Sequence, residues 1–207
     1  TKLHGPAKWT YYYLYSIIDI FSRYTVGWMV ATVESAELAE RLLAETIRKQ
    51  NIDPGQLSIH SDNGSSMASK PVALLLADLG VTKSHSRPHV SNDNPFSESQ
   101  FKTLKYRPEF PEKFGGLEHA QGFIARFYGW YNHEHRHSGI GMHTPFDVHH
   151  GRAEAVQDQR SRVLADAYAA HPERFVRHPP VPLALPGTAW INPPQPDHPN
   201  STINPDQ

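Results

Sequence analysis

Two runs rich in aromatic and β-branched residues, WTYYYLYSIIDI (residues 9–20) and TVGWMVATV (residues 25–33), are separated only by FSRY. Such residues suit a pleated, half-buried surface, and so short a connector joins two strands as an antiparallel hairpin. The chain therefore opens on strands. A helix is expected next, over residues 36–50. Ser35 can cap it, Glu37 and Glu40 lie in its early turns, Arg48 and Lys49 lie in its last, and Leu38, Leu42, Leu43 and Ile47 form one apolar face.

Further along, LSIHSDNG predicts a strand that ends at Asp62. A second helix follows, with Ser69 as its cap, Pro71 in its first turn and Gly80 as its stop; VTKSHS (residues 81–86) is a further strand. RPHVSNDNPF (residues 87–96) reads as a polar loop, and helices are expected over residues 96–105 and 117–133. Strands first, then alternating helix and strand, then helices, suggest a mixed sheet flanked by helices. A charged, Ala-rich helix over residues 153–170 leads into a tail that holds ten of the eighteen prolines, expected as an extended strap with no core of its own. The division is thus a core over residues 1–150 and an extension over 151–207.

Composition narrows the function classes. With 207 residues and 38% hydrophobic side chains, the chain can bury a core, and no apolar run approaches the ~20 residues that span a bilayer. No charged-then-apolar leader is visible. The absence of cysteine excludes disulfides and thiolate zinc sites and fits a cytoplasmic protein. Net charge is −1, which is not the global signature of a nucleic-acid binder. Locally, Lys83, Arg87, Lys102, Lys105 and Arg107 outnumber Asp93 and Glu98 by three.

Two carboxylates draw attention. Asp62 tips a strand, and Glu98, separated from it by thirty-five residues, opens a helix on which Lys102 and Lys105 follow four and seven positions later. One helical stripe thus presents a carboxylate and two ammonium groups, a set suited to a metal ion beside phosphates. Each feature alone also has an ordinary explanation, a turn residue for Asp62 and a solvated i,i+4 pair for Glu98 and Lys102. A competing pattern is HEHRH, which satisfies H-E-x-x-H with His133 and His137 as zinc ligands and Glu134 as general base. Ser138, Gly139 and Gly141 follow at once, where the intact helix that such a site needs should be ending.

Together IHSDNGSS, HSRPHVSNDNPFSESQFKTLKYR and WYNHEHRHSGIGMHTPFDVHHG resemble the catalytic core of bacterial insertion-sequence transposases, the retroviral-integrase-like DDE recombinases. ERFVRHPP and WINPP resemble a tail found in a subset of them. The resemblance implies an RNase H-like fold with a five-stranded mixed sheet. It implies Mg-dependent (or Mn-dependent) 3′-end nicking and strand transfer through a two-metal site, with transposon ends and target DNA as partners and a homo-oligomeric synaptic complex. Asp62 is similar to the family's second acidic residue and Glu98 to its third. Lys102 and Lys105 match DNA-contacting positions, and Asn92 and Asn94 match the loop over the reacting phosphate. WYNHEHRH also fits the family pattern, in which Tyr131, Asn132, Arg136 and His137 fix a helix end or contact DNA. Thr1 resembles the Thr of the Asp-Ile-Thr triplet, so the first catalytic Asp is expected just upstream of residue 1 and the 207-residue chain is expected to be inactive. Asp19, in IDIFSR, is the substitute to test; in the family pattern it is a structural residue paired with Arg23. The alternative reading is a non-catalytic DNA-binding or assembly module.

Overall fold

The structure, a computed structural model, describes residues 1–61, 69–85 and 94–191, without the side chains of Pro71, Lys83 and His85. The expected hairpin is present. Strands β1 (Lys2–His4), β2 (Tyr11–Ile18) and β3 (Thr25–Ala31) form an antiparallel sheet in the order β1-β2-β3. Its register pairs Leu3 with Tyr12 and Leu14 with Val30. All four are buried, so one face of the sheet is apolar at every second residue, as the strand period requires.

That face packs against helices α3 (Pro95–Lys105) and α4 (Leu117–His133), which supply Leu104, Ala120, Ile124, Phe127, Tyr128 and Tyr131 to the same core. On the other face, Tyr15 and Ile17 pack against helices α1 (Ala36–Lys49) and α2 (Lys70–Asp78), which bury Ala39, Leu43, Ile47, Val72 and Leu76. The result is three layers, helices on both faces of the hairpin sheet. Ser35 caps α1 as expected, its hydroxyl accepting the Leu38 N–H at 3.2 Å. Gly27 brings α1 close to β3, since a Cβ there would run into the Thr46 side chain.

Strand β4 (Ser58–Ser61) runs parallel to β5 (Thr82–His85), with α2 as the crossover between them. Ser69 occupies the α2 cap position without a hydroxyl bond to its first turn, so Pro71 near the start of the helix is the stronger N-terminal signal. Among the described residues the five strands are hydrogen-bonded in two sheets, β1-β2-β3 and β4-β5, rather than one. Between β4 and the β1-β2 edge lies a cavity of about 810 Å³.

Past α4, Thr144 caps a short helix α5 (Pro145–His149), and α6 spans Ala153–Ala170 as its composition predicts. The tail returns across these helices as a strap. Leu185 packs on Ile140, Val148 and Ala153, and Gln157 Nε2 donates to the Pro182 carbonyl at 3.4 Å. Gly141, at φ +63°, makes the crossing possible, because a Cβ there would lie 2.7 Å from the Ala184 carbonyl oxygen.

Candidate active site

Helix α3 is the element whose placement matters most, because it carries Glu98, Lys102 and Lys105. Gln100 pins it from the inside. This side chain is 1% exposed, accepts the Ser16 hydroxyl at 2.7 Å, donates to Thr25 Oγ1 at 2.7 Å, and lies 3.4 Å from the Tyr128 hydroxyl. One amide thus ties α3 to β2, β3 and α4, and buried polar groups paired this fully hold an element in one orientation. Sequence reasoning missed it. The available signal was a polar residue four positions before the buried Leu104, on the helix's inward face.

With Gln100 facing inward, Glu98 is exposed in the first turn of α3, where the helix dipole favours a carboxylate. Lys102 and Lys105 are exposed on the same helix, and Lys105 Nζ donates to Thr1 Oγ1 at 2.8 Å, so the C-terminal end of α3 meets the start of β1. Asn94 is the N-cap residue of α3. Asp62 and Asn92 lie outside the described residues. Their neighbours do not: Ser61, Asn94 and Ser97 all line the 810 Å³ cavity, and so does Thr1.

Asp19 also lines this cavity, but its oxygens are occupied. Oδ1 accepts the Phe21 N–H at 2.9 Å; Oδ2 accepts the Ser22 hydroxyl at 2.6 Å and faces His149 Nδ1 at 3.1 Å. Burial by itself would raise this carboxyl, yet the bonds from His149, Ser22 and Phe21, with the charge of the His149 ring, hold it below its ordinary range. Asp19 follows Leu14, the residue opposite Thr1, by five positions, ~17 Å along an extended strand. The side chain that reaches it from elsewhere in the fold is His149 of α5, while Arg23 meets it through the backbone, its N–H donating to the Asp19 carbonyl at 2.8 Å, and places its guanidinium 4.0 Å over the Phe96 ring. Only the fold could make that choice, since His149 is 130 residues away.

The histidine pattern does not assemble. Helix α4 ends at His133, and the N–H groups of Glu134 and His135 both turn back to the Trp130 carbonyl. His137 then bridges to His143 in a separate turn. The His133 ring packs on Phe146, while that of His137 lies against His135 and Tyr131. Among the described residues no group of three His, Asp or Glu side chains could hold a metal ion. Burial, with the charges of His135 and Arg23, pushes His137 down to about 4. The surrounding residues do fix the helix end: Asn132 accepts the Thr25 N–H at 2.9 Å and donates to the Thr25 carbonyl at 3.1 Å. Tyr131 is buried, which raises its hydroxyl to about 12, and Arg136 reaches the Met142 carbonyl at 3.4 Å.

Known proteins with this arrangement are consistent in kind. A family model described as an integrase core domain matches residues 1–91, and a second of the same description matches residues 79–145. The chain is 32% identical over 143 residues to the transposase for insertion sequence element IS904 of Lactococcus lactis, covering 69% of this chain and 56% of the relative. It is 28% identical over 153 residues to the probable transposase for insertion sequence element IS1353 of Shigella flexneri, covering 72% and 29%. The chain thus spans about half, or less, of the length of these curated relatives. Among solved structures, the catalytic core domain of BIV integrase superposes with a TM-score of 0.51 at 20% identity, over 75% of this chain and 93% of that one. A chain of the simian T-cell lymphotropic virus intasome does so with a TM-score of 0.54 at 18% identity, over 92% and 58%.

The layered helices, the hairpin sheet and the β4-α2-β5 crossover are those of an RNase H-like α/β core, the fold of integrase catalytic domains. The chain belongs to the integrase core domain family, in the form carried by insertion-sequence transposases.

Proposed function

We propose that this chain is the catalytic core of a DDE transposase that nicks DNA at the 3′ ends of an insertion sequence and joins those ends to target DNA. One observation carries the reading. Thr1, Ser61 and the Asn94–Ser97 turn line a single cavity, so the segments that adjoin residue 1, Asp62 and Glu98 converge on one place. Asp62 and Glu98 are the proposed metal-holding carboxylates. Carboxylate oxygens suit Mg or Mn, which take few protein ligands and keep waters. Two bound ions, when present, lower the pKa of an attacking water or 3′-hydroxyl and stabilise the leaving oxygen.

The chain's own groups do the positioning. Gln100 fixes the direction in which α3 presents Glu98. Lys102 and Lys105 meet the phosphates flanking the attacked one, with Lys105 held at the start of β1 by Thr1. Asn92 and Asn94 border the reacting phosphate. Residues 1–150 form the core and 151–207 its extension; in the assembled site β4 closes beside β1 to give one five-stranded mixed sheet. The working form is a homo-oligomer holding transposon ends and target, in the cytoplasm. No helix among the described residues is long and apolar enough to cross a membrane.

Asp19 is committed to Ser22 and His149, so the third carboxylate is assigned, on the family resemblance, to the Asp of an Asp-Ile-Thr triplet, two positions before Thr1. The test is nicking of supercoiled plasmid in Mg or Mn by a chain extended to carry Asp at that position. The extended chain is expected to nick, and Asp62→Asn and Glu98→Gln each to lose about 10²–10³-fold, the scale of removing one electrostatic stabiliser from a transition state. Nicking that survives both substitutions overturns the assignment. DNA binding with no nicking by the extended chain points instead to the assembly-module reading.

A further inference from the structure

The β1-β2 hairpin has a second face that the proposed chemistry does not use. Leu3, Tyr12 and Leu14 turn into the core, so Lys2, His4, Tyr11 and Tyr13 lie on the opposite face, ahead of the Tyr15–Ile17 stretch that α1 and α2 cover. The register pairs Lys2 with Tyr13 and His4 with Tyr11, which puts two basic and two aromatic side chains on one surface. Lys2 Nζ stands 5.5 Å from the Tyr11 ring centroid and 5.7 Å from that of Tyr13, and His4 meets Tyr11 edge-on at 5.5 Å. At the hairpin tip Trp9 is 77% exposed, with Lys8 Nζ 5.4 Å from its ring.

The tip is built and not merely loose. Gly5 N–H donates to the Thr10 carbonyl at 2.8 Å, Thr10 N–H donates to that of Ala7 at 3.1 Å, and a Cβ on Gly5 would collide with Thr10. Trp9 occupies the turn position that most often holds glycine or asparagine, at φ +67°. A large apolar side chain is therefore held in solvent, in a backbone conformation unfavourable to it. No Asp or Glu occurs among residues 1–18 of a chain that has 21 of them, so the surface is cationic where the chain as a whole is not. The strip also leads somewhere: Lys2 and Tyr13 line the same cavity as Ser61 and Asn94.

We propose that this hairpin face, from Tyr13 and Lys2 out to Lys8 and Trp9, is a binding track for single-stranded DNA leaving the candidate active site. Outward rings on one strand recur every ~7 Å, a spacing that unstacked bases can follow. Aromatic faces of this kind stack on bases only when the bases are unpaired, and the interleaved lysines meet the phosphates between them. The partner is the DNA of the proposed function, and to that extent the track rests on that reading.

The test is fluorescence anisotropy of the 207-residue chain with a labelled oligothymidylate, in chelator, so that no metal chemistry enters. Trp9→Ala is expected to weaken binding by about 5- to 150-fold, the equivalent of losing one base stack, and Trp9→Phe to retain most of it. Lys2→Ala and Lys8→Ala are each expected to flatten the log–log salt dependence by about 0.7, one phosphate contact on a single strand. Trp9 is exposed, so unchanged melting of its variants separates binding from folding. Equal binding by Trp9→Ala, no binding by the unaltered chain, or a Trp9→Ala effect that proves to be loss of self-association in sedimentation overturns the proposal. Metal-dependent nicking with normal binding by the hairpin variants removes the track alone. Loss of binding in Trp9→Ala, with no nicking by the Asp-extended chain, removes the catalytic reading alone.

Discussion

Oδ2 of Asp19 lies 3.1 Å from Nδ1 of His149, and the other nitrogen of the same ring lies 3.1 Å from Gln50 Oε1. The imidazole also stacks on Tyr24 at 4.5 Å. One histidine of α5 thereby joins the hairpin turn to the end of α1.

Removing the carboxylate strands the Ser22 hydroxyl, the Phe21 N–H and the ring. Asp19→Ala is expected to cost about 1–3 kcal/mol in urea unfolding. In the Asp-extended chain, Asp19→Asn should leave nicking by the folded fraction intact, because this carboxyl is structural. The folded carboxyl titrates below its ordinary value of 3.8, so its contribution is fully present above that pH and is lost as the pH falls toward the lower folded value. Urea midpoints compared with those of Asp19→Asn across that range check the sign.

Gln100 has no solvent to fall back on. Gln100→Ala leaves the Ser16 and Thr25 hydroxyls without this partner and opens a hole beneath α3, and is expected to cost about 2–4 kcal/mol. Gln100→Met fills the space without the hydrogen bonds and should cost less. Denaturant unfolding ranks the two.

His137 is pushed down to about 4 mainly by burial, while an unfolded histidine titrates near 6.5. Between these values the unfolded chain binds the extra proton and the folded one does not. Stability should therefore be full above about pH 6.5 and decline as the pH falls toward 4. Melting temperatures measured through that window should lose this part of their slope in His137→Leu.

Gly141→Ala should loosen the strap. The new methyl meets the Ala184 and Leu183 carbonyls, and the backbone sits at φ +63°. A loss of about 1–2 kcal/mol is expected, with faster limited proteolysis near residues 183–185. Gly139→Ala, where a Cβ meets nothing within 4 Å, is the control.

Local signals along the chain specify the elements. Alternation in YYYLYSII, the Ser35 cap with its trailing basic residues, and the repeat of Leu117, Ala120, Ile124, Phe127 and Tyr131 are local signals, and the helices and strands follow them closely. The sequence also placed Glu98, Lys102 and Lys105 on one helix, because spacing along a helix is a property of the chain alone. Which polar group meets which is settled by packing. Arg23 is four residues from Asp19 and bonds its carbonyl through the backbone, but the turn takes the Arg23 guanidinium to Phe96 and leaves the Asp19 carboxylate to His149. Gln100 differs little in sequence from an exposed helical glutamine, yet three elements close around its amide. HEHRH satisfies a motif on paper, and the end of α4 after His133 separates its two histidines onto different neighbours. Periodicity records how much of a side chain must leave water, whereas a hydrogen bond depends on distances of about 3 Å between residues as far as a hundred positions apart. Those distances exist only once the layers have packed.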